Sequence, residues 1–207
     1  MLLGKVHASP GSAADAQATA DALRSDPRSV SEDSLVAALH VLPEHYLHRK
    51  PGVEVDAVGQ GHAWHGYELA LCRLSEGVRA FLRATPSLRG KNPLLDAVSG
   101  IVSDPRFGKG RQNFALILCE YGRGQYGPAL SPLLADPDVR GHALKALLRF
   151  RIPGHTKEVR QLLRQATRAW VRSAAKKYLV RFGRRPGCST QGRGAGTPRD
   201  AWAAHTV

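Results

Sequence analysis

Apolar positions along the second half of the chain fall into three matching segments that recur after 29 and then 32 residues. With Arg111, Arg140 and Arg172 aligned, Leu118, Leu147 and Leu179 follow seven residues later, and Tyr121, Phe150 and Phe182 close each segment. Val139, Ala143, Ala146, Leu147 and Phe150 stand at i, i+4, i+7, i+8 and i+11, one stripe on a helix of 3.6 residues per turn. Val171, Ala175, Tyr178, Leu179 and Phe182 repeat it, and Phe114, Ile117, Leu118 and Tyr121 give the first copy with Gly110 in the opening place. Upstream, Ile101-Val102, Leu133-Leu134 and Leu162-Leu163 hold the same register, so each unit reads as a helical hairpin. Asp104-Pro105 and Asp136-Pro137 sit between paired helices, where aspartate caps and proline is tolerated in a first turn. Gly122, Gly154 and Gly183 fall at helix ends, where a positive φ is often needed.

A repeat of about 30 residues built from helix pairs is the mark of a stacked array. The segments 104–112, 136–147 and 169–179 resemble HEAT repeats, and more closely the short bacterial proteins of the HEAT and phycobilin-lyase-like repeat group. The resemblance covers about residues 93–183 and implies an all-α fold, an α-solenoid of stacked hairpins, with second helices lining the concave side. It also implies a binding scaffold.

The upstream half carries the pattern loosely. A helix is expected from Ser31 to Leu47, capped by Ser31 or Ser34, with Pro43 kinking or ending it. Residues 51–66 read as a loop, and residues 67–84 as a helix through Leu71, Leu74, Val78, Phe81 and Leu82. The expected organisation is a loose or weakly helical segment at 1–27, a HEAT-like body at 28–183 with clear repeats at about 93–122, 125–151 and 155–183, and a tail at 184–207 with the composition of a disordered basic segment.

At 207 residues and 43% hydrophobic content, the chain can bury one continuous core. Cys72, Cys119 and Cys188 are odd in number, far apart and without a CxxC, and read as free thiols in a reducing compartment. With no 18-residue apolar run and no secretory pattern at the N-terminus, the expected location is the cytoplasm and no membrane partner is expected.

Charge changes the picture most. The formal net charge is +13, and fourteen of the Arg and Lys residues lie between Arg140 and Arg185 beside one acid, Glu158. Lys145 and Lys177 are equivalent in the repeat and oppose the buried stripe, while Arg149 and Arg181 flank it. These four, with Trp170 as an aromatic anchor at the edge, are the candidate contacts for a protein partner, an acidic one included, or for phosphates of a nucleic acid. Against this stands the plainer reading that arginine merely solvates helix faces. Arg111, Arg140 and Arg172 are read as structural, each bridging to a carboxylate or helix-end carbonyl of a neighbouring repeat.

Candidate chemistry is sparse. His45 and His48, and His62 and His65, share the spacing of metal-binding pairs, but no acid or cysteine completes an obvious ligand set, so no metal and no cofactor is expected. The repeated His-Glu dyads of HEAT-repeat di-iron hydroxylases do not occur. The chain resembles the HEAT-like alkylpurine DNA glycosylases in basicity and in Trp170, yet the helices from Val139 to Phe150 and from Val171 to Phe182 hold no acid for a catalytic cleft. A bilin site would require an acidic, aromatic cleft where the expected concave residues are Arg and Lys. The expected function is a non-catalytic scaffold for protein interaction through its basic concave surface. The alternative is nucleic-acid binding.

Overall fold

The computed structural model of the protein describes residues 13–49, 54–55, 64–122 and 124–183. Among these lie nine α-helices and one antiparallel ladder, in which β1 (Glu54–Val55) pairs with β2 (Trp64–His65). The chain is predominantly helical, as the apolar period predicts. Cys188, His62 and the tail at 184–207 lie outside the described residues.

Within the segment expected to be loose or weakly helical, α1 (Ala13–Ser25) is a helix that packs on α2 (Glu32–Arg49) and α3 (Gly66–Ala84). Its buried stripe is Ala16, Ala20 and Leu23, and the Leu23 side chain occupies the space above Gly77 that a Cβ would need. A stripe made mostly of alanine gives a weak apolar signal, although alanine is the best helix former. α2 starts as expected, with Ser31 Oγ accepting from the Ser34 amide at 3.2 Å. It does not stop at Pro43. The helix runs through to Arg49 with Pro43 buried beside Leu42 and Tyr46, so core packing outweighs the missing backbone donor.

α4 (Pro93–Ser103) opens on Asn92, whose Oδ1 accepts from the Leu95 amide at 2.8 Å, with Pro93 in the first turn. Asp104 and Asp136 cap as the sequence predicts, accepting from the amides of Arg106 and Asp138 at 3.0 and 2.9 Å. A 3-10 stretch, Pro105–Arg111, delays the next helix, so α5 spans Gln112–Tyr121 and opens one residue after Arg111. The first helix of the following hairpin is also shorter than the repeat predicts. It consists of α6 (Gly127–Leu130) and a 3-10 turn at Pro132–Leu134, because Pro132 can neither donate to the ladder nor clear the preceding turn. Leu133 and Leu134 remain buried, so the apolar register survives the loss of helix. α7 (Arg140–Arg149), α8 (Thr156–Gln165) and α9 (Ala169–Phe182) complete the body.

α4 packs on α5, and α8 on α9. α3 meets α5, α5 meets α7 and α7 meets α9 in chain order, while α2 meets α4 and α4 meets α6. One hydrophobic cluster runs through all of them, from Ala16 to Tyr178. Of the three helix-end glycines, Gly154 has φ of 102°, but Gly122 and Gly183 have negative φ and are short of space instead, lying against Tyr126 and the Leu179 carbonyl.

A tighter glycine sits where α3 meets the 3-10 stretch. Gly108 has φ of 49°, and a Cβ there would lie 2.2 Å from Oε1 of Glu68. Glu68 is buried, accepting from the Lys109 amide at 2.7 Å and from the His65 amide at 2.9 Å, so it cannot swing away without orphaning two donors. Gly108→Ala is expected to cost about 2 kcal/mol, or a thermal midpoint lower by about 4–8 °C. Gly100→Ala, on a helix with open space at the Cβ, serves as the control and is expected to leave the midpoint unchanged or slightly raised. Equal losses at both positions would show that Glu68 does not hold this junction.

Candidate polyanion-binding surface

α7 and α9 carry all five residues singled out for partner contact. α7 is fixed through Gly141, Ala143, Leu144, Ala146 and Leu147, which leaves Lys145 and Arg149 exposed. α9 is fixed through Val171, Ala175 and Tyr178, which leaves Lys177 and Arg181 exposed. Tyr178 secures the hairpin, donating its hydroxyl to the Ile152 carbonyl at 2.7 Å and accepting from the His155 amide at 3.2 Å. The Arg181 guanidinium lies 5.7 Å from the Phe182 ring centroid, a cation–π distance.

Neutralisation stops partway along the row. Between α3 and α5, Arg79 pairs with Glu120 at 3.3 Å, and Arg111 pairs with Asp136 at 2.6 Å. Among the described residues, no Arg or Lys from Arg140 to Arg181 stands in an ion pair. Most of the surplus charge of the sequence falls on α7, α8 and α9.

The three aligned arginines differ in environment. Arg111 is 1% exposed and holds three acceptors, Asp136 Oδ2, the Gly108 carbonyl at 2.9 Å and the Val102 carbonyl at 3.4 Å. It joins one hairpin to the next. Arg172 is exposed and donates to the Ala166 and Thr167 carbonyls at 3.1 and 2.5 Å, at the end of α8 in its own hairpin. Arg140 is half-buried and makes no ion pair with any described residue. The register explains the difference: Asp136 stands four residues before Arg140, and the residue four before Arg172 is Arg168. At the second junction, an arginine occupies the place that holds the partnering carboxylate at the first.

That substitution falls on a cleft of about 220 Å³ between the starts of α5, α7 and α9, lined by Gln112, Asp138, Arg140, His142, Arg168 and Trp170 among others. Trp170 is both packed and presented. Its ring lies so close to α7 that a Cβ on Gly141 would meet it at 2.5 Å, its edge contacts His142 with centroids 5.4 Å apart, and it stays 40% exposed. Burial holds the His142 imidazolium down, with Lys145 and Arg168 adding repulsion, and its pKa falls to about 4. At neutral pH this imidazole adds no charge to the cleft.

Comparisons with family models, curated proteins and solved structures return no match.

Other candidate groups lead elsewhere. Among the described residues, no set of three His, Cys, Asp or Glu side chains is placed to hold a metal ion. His48 lies 3.9 Å from Glu44, and Arg106 ties Glu44 of α2 to Asp104. Cys72 accepts from Asn113 Nδ2 at 3.2 Å, and burial raises the pKa of both Cys72 and the more enclosed Cys119, so neither is a ready thiolate. No helix among the described residues is long and apolar enough to cross a membrane.

Sequence reasoning did not place Asp138, Arg168 and His142 beside Trp170. The helices flanking the cleft do lack acids, but Asp138 precedes α7 and brings a carboxylate to its lining. The available signal was the arginine at 168 where the repeat has aspartate at 136.

Proposed function

We propose that the chain is a HEAT-like α-solenoid that acts as a non-catalytic scaffold, binding a polyanion on the face shared by α7 and α9. The best-supported polyanion is the phosphate backbone of a nucleic acid. The carrying observation is the unpaired run of exposed cations, Lys145, Arg149, Lys177 and Arg181, on two packed helices next to neutralised ones. The ordered contacts of α3, α5, α7 and α9 support the solenoid, since second helices of stacked hairpins touch their neighbours in sequence.

An acidic protein partner is the second reading, with Trp170 as its anchor. Protein interfaces place apolar and aromatic residues at their centre and are depleted in lysine. Here Trp170 and Val180 are the large hydrophobics that stand exposed among the described residues, and two of the four central side chains are lysines. Phosphate needs no such centre, because released counterions supply the free energy.

The test is binding of the full chain to labelled single-stranded and duplex DNA and RNA across a salt series. The comparison protein carries Lys145, Arg149, Lys177 and Arg181 all changed to glutamate. Wild-type affinity is expected to fall steeply with salt, and the variant's log–log slope to be shallower by about 3–4. Failure of the wild type to bind any of these at low salt would leave the acidic-protein reading in place of this one.

A further inference from the structure

Beside the basic face, the junction between α7 and α9 differs from the one before it. The first junction closes on Arg111 and Asp136. The second has two arginines, Arg140 and Arg168, lining one cleft, and among the described residues neither stands in an ion pair. Like charges on one cleft raise the free energy of the unliganded protein, and an anion between them relieves it. The same cleft holds the part-exposed ring of Trp170, fixed against α7 by the space over Gly141.

The volume limits the ligand. Sites for whole cofactors or drug-sized molecules span about 300–1,000 Å³, whereas this cleft holds about 220 Å³ and is partly open. It suits one planar ring and the group attached to it. Asp138 lines the cleft as its one carboxylate among the residues named above, so it turns phosphate towards the arginines and offers an acceptor to an exocyclic amino group.

We propose that this cleft holds one unstacked nucleotide of a single-stranded nucleic acid, its base against Trp170 and its phosphate between Arg140 and Arg168. This rests on the nucleic-acid reading above and adds a base to what would otherwise be contact with phosphate alone. Stacking on an exposed aromatic ring is tolerant of sequence, and arginine beside it supplies the charge.

The experiment measures affinity of the full chain for a 12-nucleotide oligo(dC) strand and for an abasic strand of the same length. The proteins are wild type, Trp170→Ala, Trp170→Phe and Arg168→Asp. Trp170→Ala is expected to weaken the oligo(dC) complex by about 5- to 150-fold and leave the abasic complex unchanged, with Trp170→Phe restoring most of the loss. Arg168→Asp recreates the Asp136 position of the previous junction and gives α9 a better cap, so it is expected to raise the thermal midpoint while weakening oligo(dC) binding. The rise in midpoint shows that the loss of binding is not loss of fold.

Equal binding of the two strands by wild type, or equal weakening of both by Trp170→Ala, overturns the base-binding cleft. If that binding is also lost in the fourfold glutamate variant, the phosphate-binding reading survives without it. Binding of neither strand overturns both.

Discussion

Arg111→Met is expected to lower the unfolding free energy by about 3–4 kcal/mol at neutral pH. The guanidinium is almost fully enclosed and serves three acceptors from different parts of the chain, a carboxylate 25 residues later and carbonyls three and nine residues earlier. Removing it orphans the Gly108 and Val102 carbonyls and leaves Asp136 without its cation. The Asp136 side chain is 20% exposed, so water recovers part of that loss, which is why the expected cost lies below the upper end for a buried pair. Lysine cannot replace the planar fork, and Arg111→Lys is expected to regain less than half of the difference. In Arg111→Met with Asp136→Asn, the orphaned charge is removed while the cap to the Asp138 amide is retained, so the double variant is expected to be more stable than Arg111→Met alone. Urea unfolding of the four proteins checks this. A single variant within about 0.5 kcal/mol of wild type would show that the junction between hairpins does not depend on Arg111.

The three aligned arginines mark what a sequence can and cannot reveal. Their spacing, and the buried Val139, Ala143 and Leu147 stripe that accompanies it, were legible because a helix repeats every 3.6 residues and each unit must bury the same face. α1 was harder to read, since Ala16 and Ala20 bury little apolar area and look like linker composition. The run of α2 through Pro43 and the collapse of the expected helix at Leu133-Leu134 into a 3-10 turn show the same residue type with opposite outcomes. Pro43 sits in a helix held on both sides by buried Leu42 and Tyr46, whereas Pro132 follows a single turn with little packing to oppose it. In the candidate site, the exposed cations of α7 and α9 follow from opposition to the apolar stripe. The cleft does not, because it depends on residues before the helices, Asp138 and Arg168, and on the absence of a side chain at Gly141. Only the three-dimensional junction brings those together.

His142 makes that junction sensitive to acid. Its pKa falls from the ordinary 6.5 to about 4, chiefly through burial and then through Lys145 and Arg168, so between these values the unfolded chain binds a proton that the native chain refuses. The unfolded state then holds more protons, and stability must rise with pH across this window and fall as pH drops from 6.5 to 4. The full gap corresponds to about 3 kcal/mol lost by pH 4 relative to pH 7. Asp104, held below its ordinary range chiefly by its hydrogen bonds to Arg106, contributes in a different window. Its stabilisation is present above pH 3.8 and disappears only below it. His142→Gln cannot take up a proton in either state, and its stability is expected to change little from pH 7 to 4.5 while wild type weakens. Urea unfolding at half-unit pH steps measures the difference, and parallel curves would show that the imidazole is not withheld from water. Lys145→Gln and Arg168→Gln should each shrink the wild-type loss, since each removes a positive charge that opposes protonation. An anion seated between Arg140 and Arg168 would act in the same direction, so phosphate-bearing ligands that enter the cleft should raise the His142 pKa, and ligands held only by Lys145, Arg149, Lys177 and Arg181 should raise it less.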